Sequence, residues 1–286
     1  MDNSVVKLSQ EEVRKISLNI FRKVEEICKT LDIQCWVMYG TLIGVARHKG
    51  YIPWDDDFDI AMKREDYEKF IDYCCNNKEK IAPYYVEHFR YNKEYPLYIA
   101  RVCDPSYTLI FENLKYKSGI FIDIYPFDGM GDNLEFWKAK SNSEKNKLSV
   151  EILKTMVWVR SLNNPFVGRN IFFKIFRGML GLYSKTRSRM YWLSKLDSIS
   201  QKFDWEKSKY VGLSTWSTRV YGLRKEWFNE TIYMDFENIS VPVPIGYKSI
   251  LEEIYGDYMK LPPKEEQIPT HWYTAYKNKL GDVKKC

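Results

Sequence analysis

The strongest constraint on the fold is the alternation of charged and apolar residues in the segment DDDFDI, which ends at Ile60. If this segment is a β-strand, Asp57 and Asp59 share one face of it, and Phe58 and Ile60 share the other. Two neighbouring carboxylates over a buried apolar anchor repel each other unless a cation lies between them. Because oxygen ligands of this kind suit Mg²⁺ or Mn²⁺, the pair predicts a metal site.

A second feature precedes the aspartates. The apolar run from Trp36 to Tyr39 meets Gly40 and Thr41, and a short helix-like stretch follows as far as His48. A strand, a glycine turn and a helix in this order can aim backbone N–H groups at a phosphate. A metal site beside an anion site indicates phosphoryl or nucleotidyl transfer.

Composition bounds the class of protein. The chain has 286 residues, of which 45% are hydrophobic and 29% are charged, with both signs mixed. Such a chain can bury a sizeable core, as one large domain or as a domain with a helical appendage. The net charge of +6 suits a polyanionic or membrane-surface partner, but the sequence shows no basic face that predicts nucleic-acid binding. It also has no Walker loop, Rossmann glycine fingerprint or zinc ligand set.

The cysteines and the N-terminus indicate the compartment. None of the six cysteines shows CxxC spacing, and Cys74 and Cys75 are adjacent in a predicted helix, so we expect free thiols in a reducing compartment. The first residues lack the apolar core of a signal peptide, and no apolar run approaches the roughly 20 residues that cross a bilayer. We therefore expect a cytoplasmic protein, at the inner face of the membrane if it binds lipid.

The first part of the chain is predicted to alternate helices and strands. Ser9 and Glu12 form a capping-box pattern ahead of apolar residues at helical spacing, which predicts a helix over residues 10–30. The pattern then predicts a strand at 32–39, a helix at 41–48, a strand at 57–62 and a helix at 64–76.

Several short β-like runs follow and predict a mixed sheet. They cover residues 84–89, 97–102, 108–112 and 120–124, with turn-like clusters at 104–106 and 117–119. The last run carries Asp123 in the same alternating pattern as Asp59, so Asp123 is a candidate third carboxylate from a neighbouring strand. Residues 125–129 predict a sharp exit from that strand.

The middle of the chain, residues 133–205, has a helical pattern, with a second helix expected at 170–203. Residues 165–195 mix bulky apolar side chains with arginine and lysine. A basic amphipathic helix of this kind can lie on an anionic membrane surface, or its apolar face can belong to the core with the cations in solvent. The core interpretation is preferred. Beyond it, β elements are predicted at 210–215, 231–236 and 239–243, and a helix at 247–255.

Longer motifs resemble a known family. The runs YGTLIGVARHKGYIPWDDDFDI, FIDIYPFDG, VPVPIGY and YGDYMKLPP are similar to those of the LicD family, relatives of fukutin and fukutin-related protein. The resemblance spans residues 25–130 and 205–272 and leaves the middle helical region as a variable insertion. It implies an α+β nucleotidyltransferase-like fold, with a mixed β-sheet core flanked by helices. We therefore expect a catalytic core at 1–132, a helical region at 133–205 and a C-terminal α/β segment at 206–286 that completes the catalytic domain.

The resemblance also assigns the acidic residues. Gly40-Thr41 corresponds to the family's Gly-[Gly/Ser] turn, and Asp57-Phe58-Asp59 to its paired metal carboxylates. Fifteen residues separate Thr41 from Asp57, more than the general superfamily pattern usually has, but LicD-like proteins share this longer loop. The predicted metal is Mg²⁺ or Mn²⁺. Its predicted ligands are Asp57, Asp59, Asp123 and Asp55. Asp57, Asp59 and Asp123 are also the predicted catalytic residues.

Cations near the turn are candidates for phosphate binding. The residues predicted to bind nucleotide or phosphate are Gly40, Thr41, Arg47, Lys49 and Arg101. The planar fork of Arg47 suits phosphate oxygens, whereas Lys49 offers a point charge that surface solvation explains equally well. The alternative role of Arg101 is a structural salt bridge. His48 is either a general base or a neutral histidine that supports the loop.

The resemblance finally implies a reaction. LicD-like proteins are associated with transfer of a phospho-alcohol, of which phosphocholine is the best known, from a CDP-linked donor such as CDP-choline to a cell-surface glycan precursor. The acceptor expected here is a hydroxyl of a lipopolysaccharide or teichoic-acid precursor. Trp54 could stack on a base or help enclose a quaternary ammonium, and only the resemblance brings His271 near the site. Nucleotidyl transfer and an inactive nucleotide- or glycan-binding relative remain the alternatives.

Overall fold

The longest helix forms where the sequence predicts it. The computed structural model describes residues 6–112, 114–134, 137, 152–157, 170–215, 220–269 and 273–278. Helix α1 (Gln10–Leu31) begins with the predicted capping box, in which the Ser9 N–H donates to the Glu12 carboxylate (2.7 Å) and the Glu12 N–H donates to Ser9 Oγ (3.3 Å). It ends at Asp32, whose left-handed backbone (φ 52°) stops the helix. Its apolar face is buried against the sheet.

The described strands form one mixed sheet and one hairpin. The strands are β1 (Val6–Lys7), β2 (Trp36–Val37), β3 (Asp59–Lys63), β4 (Tyr85–Glu87), β5 (Ala100–Phe111), β6 (Lys117–Gly131), β7 (Tyr210–Gly212), β8 (Leu223–Arg224), β9 (Thr231–Phe236), β10 (Ile239–Pro244) and β11 (Tyr273–Lys277). The main sheet runs β1-β11-β5-β6-β3-β2, with β4 beside β5 and with β7 pairing both β6 and β8. Strands β3 and β6 are parallel, and β9 and β10 form the hairpin.

Helices flank the sheet. Besides α1, the described helices are α2 (Tyr39–Ile43), α3 (Arg64–Asn76), α4 (Lys78–Ile81), α5 (Ile171–Ser184), α6 (Arg189–Ser200) and α7 (Tyr247–Tyr255). Helix α2 continues into a π-helical turn (Gly44–His48), and 3-10 turns occupy Lys225–Phe228 and Lys264–Glu266. The helices predicted at 41–48, 64–76 and 247–255 are therefore confirmed. The predicted α+β class is also confirmed.

Three predicted turns are wrong. Residues 117–119 are not a turn but the first residues of β6. Residues 104–106 lie within β5, which continues through a register shift between Asp104 and Leu109 rather than turning back. Opposite this bulge, a Cβ on Gly119 would lie 2.2 Å from the Asp104 carbonyl oxygen, so the backbones approach too closely for any side chain. Strand β6 likewise continues through 125–129 to Gly131, because β7 pairs with its last residues. Conversely, the strand predicted at 32–39 shortens to Trp36–Val37.

In the middle region the structure describes helices at 152–157, α5 and α6. The single helix predicted at 170–203 is wrong, because residues 185–188 separate α5 from α6. The preferred interpretation, an apolar face turned to the core, holds for α6, where Trp192, Leu193 and Leu196 are buried. It is wrong for α5, which exposes Phe172 and Leu182 and turns the small residues Gly178 and Ser184 inward. The boundaries at 132 and 205 stay predictions.

A buried ionic cluster fixes α6 against the sheet. Arg64, the first residue of α3, donates to both carboxylate oxygens of Asp128 on β6 (2.7 Å each) and to Asp197 on α6 (2.9 Å). It also donates to the Tyr98 hydroxyl. Asp128 is 2% exposed, so removing Arg64 would leave a buried carboxylate without its cation.

The described cysteines form no disulfide bonds with one another. The described cysteines, Cys28, Cys35, Cys74, Cys75 and Cys103, are free, and Cys286 lies outside the described residues. In the part of the chain that the structure describes, no helix has the length and apolar character that crossing a bilayer requires.

Candidate metal and nucleotide site

The pairing of β3 with β6 brings two predicted carboxylates together. Asp59 is the first residue of β3, and its register partner on the parallel strand β6 is Asp123. The Asp123 N–H donates to the Phe58 carbonyl (3.0 Å), which fixes this register. Phe58 is fully buried, with its ring centroid 4.9 Å from that of Phe21 on α1. The apolar anchor predicted between the aspartates is therefore present.

Asp59 lies in an environment that disfavours its charge. The residue is 5% exposed, and among the described residues its Oδ1 has no hydrogen-bond partner. Burial, followed by the charges of Asp57, Asp123 and Asp55, raises the pKa of Asp59 well above its ordinary value. A hydrogen bond from Tyr125 lowers this pKa only in part. A cation bound at Oδ1 would supply the missing partner, so the residue fits a metal ligand.

Three further carboxylates lie in the loop that precedes β3. One oxygen from each of Asp55, Asp56 and Asp57 lies within 4.8 Å of the other two, a separation that one metal ion can bridge. Asp57 lies two residues before β3 rather than in it, so the loop and not the strand pleat places its carboxylate. Asp56 is 9% exposed, and its carbonyl accepts a hydrogen bond from the Tyr273 hydroxyl (2.9 Å) on β11.

Helix α1 holds this loop through its backbone. Arg14 donates from Nε (3.1 Å) and Nη2 (2.6 Å) to the Asp55 carbonyl, and from Nη2 to the carbonyls of Ile52 (2.8 Å) and Pro53 (2.9 Å). Gln10 also donates to the Asp55 carbonyl (2.8 Å). Cationic and amide donors thus hold the loop through its backbone carbonyls. Sequence reasoning missed both residues, which lie on the polar side of α1 in no motif.

The glycine turn packs directly on the acidic loop. A Cβ on Gly40 would lie 2.4 Å from Asp55 Oδ2, so only glycine leaves room for this carboxylate. Next to it, Thr41 is buried and its Oγ1 accepts a hydrogen bond from the Asp59 N–H (2.9 Å). The turn therefore positions two predicted metal ligands. Its phosphate-binding role stays a prediction.

The basic residues after α2 have different partners. Arg47 donates from Nη1 to the carbonyls of Tyr258 (2.6 Å) and Lys260 (3.4 Å), and from Nε to His48 Nε2 (2.9 Å). Burial, followed by the charge of Arg47, lowers the pKa of His48, which favours the neutral ring that accepts at Nε2. This contact fits the supporting role considered for His48, and the choice between that role and a general base stays a prediction. Lys49 is exposed, with a left-handed backbone (φ 55°).

Arg101 is a partner of Asp123. Its Nε lies 2.7 Å from Asp123 Oδ1 and its Nη2 3.4 Å from Oδ2, and both residues are buried. The guanidinium carbon lies 3.5 Å from the centroid of the Phe121 ring. The salt bridge considered for Arg101 is present, and its phosphate-binding role stays a prediction. It supplies the cation that a carboxylate buried as deeply as Asp123 requires.

The remaining predicted residues are less central. Trp54 is half-buried and packs against the core, and His271 lies outside the described residues.

A tyrosine cluster beside Asp59 was not predicted. The rings of Tyr39 and Tyr125 lie 4.9 Å apart, and the charge of Asp59 contributes, after burial, to raising the pKa of Tyr125 and of Tyr255. Tyr39 lies in the YG motif and Tyr125 in the IYPFDG motif. Because the chain contains many tyrosines, the sequence did not single these two out.

Comparison with known proteins decides the family. A family model described as LicD/FKTN/FKRP, nucleotidyltransferase domain, matches residues 32–171. The lipopolysaccharide cholinephosphotransferase LicD of Haemophilus influenzae is 32% identical over 284 residues, covering 94% of this chain and 98% of that relative. The chain belongs to the LicD family. The resemblance inferred from the sequence motifs is thereby confirmed.

Two other relatives of this LicD-family protein are shorter matches without an assigned function. An uncharacterized protein of Rickettsia typhi is 31% identical over 137 residues, covering 46% of this chain and 41% of that relative. One of Rickettsia prowazekii is 36% identical over 70 residues, covering 21% and 26%. The family match at 32–171 contains the glycine turn, the acidic loop and Asp123, whereas Arg14 precedes it and Tyr255 follows it.

Proposed function

We propose that this LicD-family protein is a Mg²⁺- or Mn²⁺-dependent transferase that moves phosphocholine, or a related phospho-alcohol, from a CDP-linked donor to a glycan hydroxyl. The observation that carries the proposal is the buried Oδ1 of Asp59, which has no hydrogen-bond partner in the described part of the chain, together with the carboxylates of Asp55 to Asp57. The near full-length similarity to a lipopolysaccharide cholinephosphotransferase supports the choice of phosphocholine and of a lipopolysaccharide or teichoic-acid precursor as acceptor.

Each residue of the site has a separate role in the proposed reaction. A divalent ion at this site would neutralise charge on the donor pyrophosphate, which is the main requirement of phosphoryl transfer. Asp57, Asp59 and Asp55 would hold it, and Asp123, oriented by Arg101, would complete its ligands or accept the proton of the attacking hydroxyl. A bond forms between the hydroxyl oxygen and the phosphocholine phosphorus, and the bond to CMP breaks. Phosphate contacts from Arg47 and Lys49 are further proposals.

Product analysis by mass spectrometry tests the proposal. The protein is incubated with Mg²⁺, CDP-choline and an acceptor glycan, and we expect CMP release with phosphocholine added to the glycan. Nucleotidyl transfer would instead release phosphocholine and leave CMP on the glycan. Binding without turnover across a panel of CDP-alcohols would identify an inactive relative.

Matched variants separate the metal ligands from general charge effects. Asp59→Asn and Asp57→Asn should abolish transfer while the protein stays folded. Asp235→Asn removes an exposed carboxylate from the β9–β10 hairpin and should leave the rate unchanged. Full activity in Asp59→Asn would refute the metal assignment.

The described thiols support a proposal about the compartment. Free, largely buried cysteines are typical of a reducing environment, so we propose a cytoplasmic protein. Quantitative thiol labelling of the denatured protein, taken directly from cells, tests this; extensive disulfide formation would contradict it.

A further inference from the structure

Helix α5 presents its apolar side away from the protein. Its exposed apolar arc consists of Ile171, Phe172, Ile175, Phe176, Met179, Leu182 and Tyr183. At 100° per residue these seven side chains span about 140° of the helix circumference. Phe172 is 77% exposed and Leu182 68%, values that no core helix would show. The side towards the protein contains the buried residues Gly178 and Ser184.

The orientation of α5 is fixed by the neighbouring helix. Trp192 on α6 donates from Nε1 to the Ser184 carbonyl (2.8 Å), and its ring centroid lies 5.8 Å from that of Tyr183. Helix α6 is in turn joined to the sheet through Asp197 and Arg64 (2.9 Å). The apolar arc is therefore part of the folded surface. An apolar surface of this extent on a folded protein marks an interaction site.

The charge of the surrounding segment indicates what binds to the apolar arc of α5. No aspartate or glutamate occurs between Glu151 and Asp197, whereas nine lysines and arginines do. This segment therefore carries +9 in a chain of +6, so the rest of the chain carries −3. Among the described cations, Arg187 and Lys195 stack on the exposed Tyr191 ring at 5.7 and 5.3 Å, close to the end of α5. Cations and tyrosine beside an apolar face are typical of contact with lipid headgroups.

The length of α5 excludes a spanning arrangement. Its 14 residues extend about 21 Å, less than the roughly 30 Å of a bilayer's hydrocarbon core. We propose that α5 lies along an anionic membrane surface, with the apolar arc at the acyl boundary and the flanking cations at the headgroups. This docking would hold the transferase at the membrane. Since lipid binding needs no turnover, its test is independent of the proposed reaction.

Vesicle flotation with the full chain tests the docking. Wild-type protein is mixed with vesicles of phosphatidylcholine, or of phosphatidylcholine and phosphatidylglycerol at three to one. We expect flotation with the anionic vesicles that weakens as salt is added, because surface charge attraction is screened. No flotation, or equal flotation with both vesicle types, overturns the proposal.

Variants locate the contact on α5. F172E/L182E should lower the apparent affinity for anionic vesicles at least tenfold, while thermal unfolding stays as in the wild type because both side chains are exposed. If this variant does not fold, F172Q/L182Q replaces it. Val6→Glu, at a residue 59% exposed on β1, is the matched control and should bind normally. Unchanged binding of the double variant overturns the proposal, as does a lipid-free wild-type dimer that the double variant loses.

Discussion

Replacing Asp59 by asparagine should stabilise the metal-free protein and abolish its response to Mg²⁺. In the wild type, burial and three neighbouring carboxylates disfavour the Asp59 charge, and Oδ1 has no hydrogen-bond partner among the described residues. An unsatisfied buried polar group costs about 1–3 kcal/mol, and a charged one more. Asparagine keeps the shape and the acceptor towards Tyr125, and its amide nitrogen takes the place of the unpartnered oxygen. It therefore removes the cost of the buried charge but not that of the missing hydrogen bond. We therefore expect the free energy of unfolding in EDTA to rise by about 1–3 kcal/mol at pH 7.5.

The pH dependence has a definite sign. Because the pKa of Asp59 is higher in the folded than in the unfolded chain, the folded state retains a proton that the unfolded state has lost. Stability therefore decreases as pH rises from the unfolded pKa, about 3.9, towards the raised folded pKa. Asp59→Asn has no such proton and should lose this part of the pH dependence. At low pH its free energy of unfolding should therefore no longer exceed that of the wild type.

Urea unfolding with and without metal measures both effects. At a Mg²⁺ concentration of 100 times Kd, binding to the folded state stabilises the wild type by about 2.7 kcal/mol, and Asp59→Asn should gain far less. The control, Asp235→Asn, should behave as the wild type in both conditions. A less stable Asp59→Asn protein in EDTA, or a metal response equal to the wild type, would show that Asp59 is not the buried metal ligand inferred here.

Three further substitutions test the supporting structure. Gly40→Ala places a Cβ 2.4 Å from Asp55 Oδ2, so we expect a loss of about 1–3 kcal/mol in urea unfolding and weaker Mg²⁺ binding by calorimetry; a neutral result would show that Asp55 moves freely. Arg14→Ala removes the donors that hold the acidic loop and should weaken Mg²⁺ binding about 10–100-fold, with Arg14→Lys restoring little; full rescue by lysine would exclude a role for the guanidinium geometry. Arg101→Ala leaves the Asp123 carboxylate without its cation and should destabilise the fold by about 3–5 kcal/mol. The double variant Arg101→Ala/Asp123→Asn should recover part of this loss. No recovery would show that the ion pair does not account for the loss.

Local patterns explain the parts of the fold that the sequence predicted well. The capping box and apolar spacing of α1 lie within one segment, as do the spacing of α3 and the Phe58 anchor of the acidic strand. Long motifs likewise identified the family. Predictions failed where distant segments pair, because the Asp104 bulge and the continuation of β6 depend on Gly119 and β7 rather than on local turn residues.

The sequence by itself determined the helices, the acidic segment and the LicD family, because each depends on residues that are close together in the chain. Only the tertiary structure decided how they combine. The parallel register of β3 and β6 places Asp59 beside Asp123, and the antiparallel pairing of β5 with β6 places Arg101 opposite Asp123. Packing also turned the apolar side of α5 outward, since periodicity defines a face of a helix but not the surface it meets.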